Sequence, residues 1–109
     1  MARLTAGVWV SAYLKRLQLD TIPAYVLRTG DKTAGAVLVK CARLDGRASA
    51  HERLLNPMTG GRRWEEVAEG PEAEIDALIE RKVARDPDLW VVEVESRDGN
   101  HLLDDPSLV

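Results

Sequence analysis

The stretch Ala36-Val37-Leu38-Val39-Lys40-Cys41-Ala42-Arg43-Leu44-Asp45-Gly46-Arg47-Ala48-Ser49-Ala50-His51-Glu52-Arg53-Leu54 decides the fold. Its first seven residues are apolar apart from Lys40 and rich in valine, which reads as a strand. Asp45-Gly46 signals a two-residue hairpin loop, because both positions accept positive φ. That loop predicts a register in which Leu44 opposes Arg47, Cys41 opposes Ala50, Lys40 opposes His51 and Leu38 opposes Arg53. One face then carries Val37, Val39, Cys41, Ala48, Ala50 and Leu54 as core, with Glu52 as the misfit. The other carries Leu38, Lys40, Arg47, Ser49, His51 and Arg53. Side chains alternate with period two, so a slip of one residue would exchange these faces.

Upstream, residues 5–19 read as an amphipathic helix with Thr5 as N-cap. Ala6, Trp9, Val10, Tyr13, Leu14 and Leu17 share one stripe, with Ser11, Lys15 and Gln18 opposite. Ile22-Pro23 ends it, since the residue before proline is pushed out of helical space. Residues 24–28 form a short strand, and the glycine-rich run 29–35 reads as a hairpin turn. It is not a phosphate loop, because Lys32 precedes the second glycine and a strand follows.

Downstream, Asn56-Pro57-Met58-Thr59-Gly60-Gly61 is turn chemistry. Residues 62–67 form a further strand carrying Trp64. Gly70-Pro71 opens a second helix, with Ile75, Leu78, Ile79 and Val83 as its apolar stripe. Its acids come early and its bases late, which complements the helix dipole. Asp86-Pro87 stops it. Residues 89–96 form a strand with Trp90, Val92 and Val94 on one side and Val91, Glu93 and Glu95 on the other. After a turn at Asp98-Gly99-Asn100, residues 101–103 are placed to pair back, and residues 104–109 read as a frayed tail.

The order α-β-β-β-β-α-β predicts the α+β class. The expectation is a mostly antiparallel sheet of about five strands with two helices packed on one face. The 109 residues suit one domain spanning 1–109. A single cysteine excludes a disulfide framework and a cysteine-cluster zinc site. Met1-Ala2-Arg3-Leu4 starts like a signal peptide, but Ser11, Lys15, Arg16 and Gln18 interrupt the apolar stretch it needs. No apolar run reaches the roughly 18–20 residues of a membrane helix. These features predict a cytoplasmic protein with no membrane contact and no cofactor.

Four stretches carry a resemblance: Gly35-Ala36-Val37-Leu38-Val39-Lys40, Gly70-Pro71-Glu72-Ala73-Glu74-Ile75-Asp76, Asp86-Pro87-Asp88-Leu89-Trp90-Val91-Val92-Glu93-Val94-Glu95 and Arg97-Asp98-Gly99-Asn100-His101. With them the chain resembles a small alphaproteobacterial family catalogued as domain of unknown function 1491. The likeness spans nearly the whole chain, with Asp-Pro-Asp-Leu-Trp as its most specific part. The family has no assigned activity, so the resemblance implies no catalytic residue.

Charge is segregated along the chain. Residues 1–63 hold eleven Lys and Arg against four Asp and Glu, a balance of +7, and residues 64–109 hold four against fourteen, a balance of −10. One reading is that the halves neutralise each other inside the domain. The other is that a basic hairpin face forms a surface for an acidic partner: an unidentified protein, a phosphorylated ligand, nucleic acid or the acidic half of a second copy. On this reading the contact residues are Lys40, Arg47, His51, Arg53, Arg62 and Trp64. The acidic pI and the lack of aromatic residues on that face weigh against nucleic acid.

The competing class is a small-ligand or metal-dependent enzyme using His51, Glu52, His101 and Asp104. No metal-ligand spacing occurs, and adjacent His51 and Glu52 point to opposite faces of a strand. Cys41 reads as a buried structural thiol, on the face opposite His51. The tryptophans read as packing residues, with Trp64, between arginines and glutamates, as the one candidate for a contact. The sequence reading therefore leans to a non-enzymatic interaction domain.

Overall fold

The computed structural model describes residues 4–108. The expectations placed on Met1, Ala2, Arg3 and Val109 lie outside the described residues. The chain order is α1 (Ala6–Leu19), β1 (Ala24–Arg28), β2 (Val37–Ala42), β3 (Arg47–Leu55), β4 (Arg62–Pro71), α2 (Glu72–Arg85) and β5 (Trp90–Glu95), then a 3-10 turn at Pro106–Leu108. This is the expected α+β fold. The five strands lie in the order β1-β5-β2-β3-β4, antiparallel throughout except for the parallel pair β2–β5.

Helix α1 buries Ala6, Trp9, Val10, Tyr13 and Leu17, the expected stripe. Thr5 caps it only through its carbonyl, which accepts the Trp9 N–H at 2.9 Å; its hydroxyl makes no cap bond. At the other end Ile22 N–H bonds Leu17 O at 2.9 Å and Thr21 N–H bonds Gln18 O at 3.0 Å. Thr21 takes the left-handed position, φ 56°, that glycine usually fills in this closing motif.

The helices do not share a face. Trp9, Val10, Tyr13 and Leu17 pack with Val37, Val39, Val92 and Val94, whereas Ile75 and Ile79 of α2 pack with Leu38, Ala48, Ala50 and Val91. Neighbouring residues of one strand point to opposite sides, so α1 and α2 cover opposite faces of the sheet. All six residues of β2 are consequently buried. A strand that is apolar without alternation, here with Lys40 as the one exception, is what burial on both faces requires.

The hairpin register differs from expectation by one residue. Cys41 opposes Ser49, Lys40 opposes Ala50, Val39 opposes His51 and Leu38 opposes Glu52. Arg43 N–H bonds Arg47 O at 3.0 Å, which makes the loop three residues long, Leu44-Asp45-Gly46. Leu44, at φ 63°, and Gly46, at φ 89°, take the left-handed positions, while the Asp45 carboxylate accepts the Arg47 N–H. The extra residue turns β3 over relative to β2. Ser49, His51 and Arg53 therefore share the α1 side with Val37, Val39 and Cys41, and Ala48, Ala50 and Glu52 face α2.

The glycine-rich run is a crossover rather than a hairpin turn, because β5 lies between β1 and β2. Gly30 lies so close to the Asp88 carbonyl that a Cβ there would stand 2.1 Å from it. Strand β4 continues to Pro71, which is the N-cap of α2 rather than its first helical residue.

The C-terminal segment is docked, not frayed. Residues 101–103 form no strand but cross the α1 side as a loop, with Leu103 and Leu108 buried. The Leu108 carbonyl accepts the indole N–H of Trp9 at 3.0 Å and that of Trp64 at 3.1 Å, and Arg16 Nη2 bonds Asp105 Oδ2 at 2.8 Å. Two aspartates, a proline and a serine at 104–107 conceal the anchor at Leu108 from a reading by composition.

Candidate functional site

The six residues expected on one basic surface are dispersed. Lys40 is 4% exposed beneath α2, with Nζ 2.7 Å from Glu72 Oε2, 2.7 Å from Asp76 Oδ1 and 3.0 Å from Glu93 Oε1. Burial disfavours its charge, but the three carboxylates outweigh burial and raise its pKa, so the ammonium stays protonated. Arg47 is exposed and forks onto Glu69, with Nη2 at 2.7 and 2.9 Å from the two carboxylate oxygens. His51 is 5% exposed on the α1 side. The Arg53 guanidinium carbon lies 5.4 Å from the Trp9 ring centre and 5.6 Å from that of Trp64, in cation–π range of both. Trp64 is half-buried, its ring 5.1 Å from that of Trp9. Arg62 alone of the six is exposed without a carboxylate partner among the described residues. The shared basic face fails for two reasons: the register turns His51 and Arg53 inward, and Lys40 faces the acids of α2.

Part of the segregated charge is neutralised internally. Arg16–Asp105, Lys40 with Glu72, Asp76 and Glu93, Arg47–Glu69 and Arg63–Glu65 join bases of the first part to acids of the second, whereas Glu52–Lys82 runs the other way and Arg16–Asp20 stays within the first part.

The four residues of the competing site fare differently. His51, His101 and Asp104 line one cleft of about 330 Å³, together with Trp64, Glu66 and Leu103. The two imidazole rings lie 4.4 Å apart, tilted by 56°. Strand pairing places Glu66 opposite His51 and Trp64 opposite Arg53, while the docked C-terminal segment supplies His101 and Asp104. Glu52 projects the other way and bonds Lys82 Nζ at 2.9 Å, so it takes no part.

Both imidazoles are neutral at pH 7. Burial, with His101 adding to it, lowers the His51 pKa to about 4, and burial also lowers that of His101. His51 Nε2 shares a 2.8 Å hydrogen bond with Ser49 Oγ, and Leu103 N–H donates to His101 Nδ1 at 3.0 Å. Neutral His101 therefore carries its proton on Nε2. Among the described residues no three His, Cys, Asp or Glu side chains converge to hold a metal ion.

Cys41 is fully buried, as expected, and burial raises its pKa, which keeps the thiol protonated and unreactive. It does not lie opposite His51, since Cys41 pairs with Ser49 on the His51 side.

A second feature, which the sequence reading named only in part, is the projecting end of the β3–β4 hairpin. Leu55 is 57% and Met58 91% exposed, with Leu54 also exposed and Arg62 and Arg63 on the returning strand. The signal was available, since Leu54-Leu55 precede the turn and Met58 lies within it, among residues that are otherwise polar, glycine or proline.

Fold and site together define a small α+β protein with a sheet clad on both faces, an imidazole cleft at one end of the α1 side and an apolar hairpin end. The family model described as "Protein of unknown function (DUF1491)" matches residues 4–104, and the chain belongs to that family. The crystal structure of a family member from Caulobacter crescentus superposes with a TM-score of 0.86 at 40% identity, covering 95% of this chain and 98% of that one. An NMR structure of a family protein from the same organism gives 0.83 at 40% identity, with 97% of each chain covered. A solution structure of a protein from A. tumefaciens gives 0.74 at 34% identity, with 87% of each covered. No curated protein matches. None of the described helices is long and apolar enough to cross a membrane.

Proposed function

We propose that this chain is a non-enzymatic interaction module of the cytoplasm that docks an acidic protein partner through the end of its β3–β4 hairpin. One observation carries the reading: Leu54, Leu55 and Met58 stand in solvent beside Arg62, an arginine with no carboxylate of its own among the described residues. Scattered exposed apolar side chains are ordinary, but a cluster at the tip of a projecting arm, next to a guanidinium with no carboxylate among the described residues, fits a contact surface. The residues supporting this reading are Arg62 and the hairpin apolar group, with Arg53 and Trp64 behind them. Lys40, Arg47 and His51 are engaged elsewhere.

Affinity capture from cell extract tests it, comparing the wild type with a Leu55→Asp/Met58→Asp double variant whose fold is verified by circular dichroism. A protein retained by the wild type and lost from the variant is the expected result. Identical retained sets would remove the reading.

The imidazole cleft favours a second reading, in which a small polar ligand binds between His51 and His101 and uses the two neutral rings as donor and acceptor. Ring resonances of both histidines would then shift on addition of the ligand, together with a rise in melting temperature. Unmoved resonances across a panel of small polar compounds and divalent metals would dismiss it.

A further inference from the structure

We infer that β1 pairs with β1 of a second copy of this chain about a two-fold axis, joining two five-stranded sheets into one. This surface is separate from the hairpin end of the preceding reading. Strands β1 and β4 are the outer strands of the sheet, and their edges are guarded differently. Along its length β4 carries Arg62, Arg63, Glu65, Glu66 and Glu69, and charge on an edge strand deters pairing with another chain. Ala24-Tyr25-Val26-Leu27 of β1 carry no charge, although Tyr25 is 50%, Val26 38% and Leu27 54% exposed.

The bonding to β5 decides which main-chain groups are available. Glu95 N–H bonds Pro23 O at 2.9 Å, and the ladder continues as Ala24↔Val94, Tyr25↔Glu93 and Val26↔Val92. Bonded and non-bonded pairs alternate in an antiparallel ladder, so Pro23 and Tyr25 face β5 while Ala24 and Val26 turn their N–H and C=O outward. Neither makes a main-chain hydrogen bond outside the sheet ladder among the described residues. An antiparallel copy centred on Tyr25 sets Ala24 opposite Val26 of the copy on both sides of the axis. Every outward N–H and C=O of both chains is then used, in four hydrogen bonds. Centring on Val26 makes only two, because the irregularity between Val26 and Arg28 interrupts pairing there.

The side chains in this register complement themselves. Ala24 and Val26 share the α1 side with their cross-strand neighbours Val94 and Val92. On that side a groove of about 490 Å³ runs beside Ala24, walled by Leu14, Gln18, Thr21, Ile22 and Pro23. Val26 of the copy, opposite Ala24, meets this groove, and the copy's groove receives Val26 in return. One strand thus supplies both an apolar side chain and, two residues away, the recess that takes it, which selects a second copy as the occupant. On the other side the two Tyr25 residues form the axial pair, in the closer non-bonded geometry with Cα atoms about 4.5 Å apart. The nearest acids, Glu93 and Glu95, stand one strand further in. The two β5 strands are then about 14 Å apart, past the roughly 8 Å over which salt screens exposed charges. Five residues give roughly 17 Å of edge, short of a standard interface, so the dimer is reversible.

Sedimentation velocity of the full chain tests the inference. The wild type should pass from monomer towards dimer between about 10 µM and about 1 mM, the range of a weak interface. Tyr25→Lys sets two ammonium groups side by side on the axis and should weaken association at least tenfold. Val26→Pro leaves the bonds to β5 intact, removes two of the four between the copies and should act in the same direction. If either variant fails to fold, cross-linking decides. Tyr25→Cys should form a disulfide-linked dimer under mild oxidation at least tenfold faster than Met58→Cys at the most exposed of the apolar sites, because residues on the axis meet the Cα separation that a disulfide needs. A monomer over the whole concentration range, unchanged association in folded Tyr25→Lys, or equal cross-linking rates would each overturn the inference. Loss of association in the Leu55→Asp/Met58→Asp variant would overturn it too, by locating the contact at the hairpin; loss of that variant's captured partner with the dimer intact would leave both readings standing.

Discussion

Acidification from pH 7.5 to pH 4.5 is expected to destabilise the fold by about 2.5 kcal/mol through His51 alone. Its ring lies 5% exposed between β3 and the docked C-terminal segment, 4.4 Å from that of His101. Burial, and secondarily His101, lowers its pKa from 6.5 to about 4 in the folded chain. The unfolded chain therefore takes up the proton first as pH falls. Stability is complete above pH 6.5, declines below it, and stops declining through this group near pH 4. The full shift corresponds to at most about 3.4 kcal/mol, of which some 2.5 kcal/mol has been lost by pH 4.5. His101, also lowered by burial, acts in the same direction. Asp105 does not interfere: its hydrogen bond to Arg16, then those to Ser107, hold its pKa near 2 against an ordinary 3.8, so its stabilisation is lost only below this window. Urea titrations followed by tryptophan fluorescence at the two pH values measure the loss, which corresponds to roughly 10–20 °C in melting temperature. His51→Gln retains an amide able to bond Ser49 and does not titrate, so its pH dependence should be much smaller. Equal urea midpoints at both pH values in the wild type, or an undiminished pH dependence in the variant, would refute the reasoning.

Other perturbations probe the remaining contacts. Lys40→Met leaves Glu72, Asp76 and Glu93 without their shared cation and should destabilise by about 3 kcal/mol in urea, the low end for a broken buried pair because the carboxylates are partly solvated. Truncation after Asp105 removes the Leu108 carbonyl and side chain, orphaning the indole N–H groups of Trp9 and Trp64; a loss of about 3 kcal/mol and a red-shifted tryptophan emission are expected. Gly30→Ala forces a Cβ against the Asp88 carbonyl and the Trp90 ring and should lower stability by about 2–3 kcal/mol, read as a fall in melting temperature.

The element order was legible because each segment carries its own signal: the stripe of α1, the dipole-matched charges and proline start of α2, the alternation of β5. The candidate site was much less so. A single residue in the loop after β2, with Leu44 rather than Asp45 taking positive φ, turned His51 from an expected surface residue into a buried one and placed it beside His101. Loop conformation is set by the balance of strand twist and packing around it, and the dipeptide Asp-Gly is compatible with both loop lengths. The near-continuous apolarity of β2, broken only by Lys40, was the available warning that helices cover both faces.

Local periodicity, turn residues and the proline and glycine positions determined which segments are helices and which are strands, because those signals act within a few residues of one another. Strand order, hairpin register, the side each helix covers and the anchoring of Leu108 depend on contacts between residues far apart in the chain. Those contacts are decided by which combination of faces can be buried at once, and only the folded molecule brings them together.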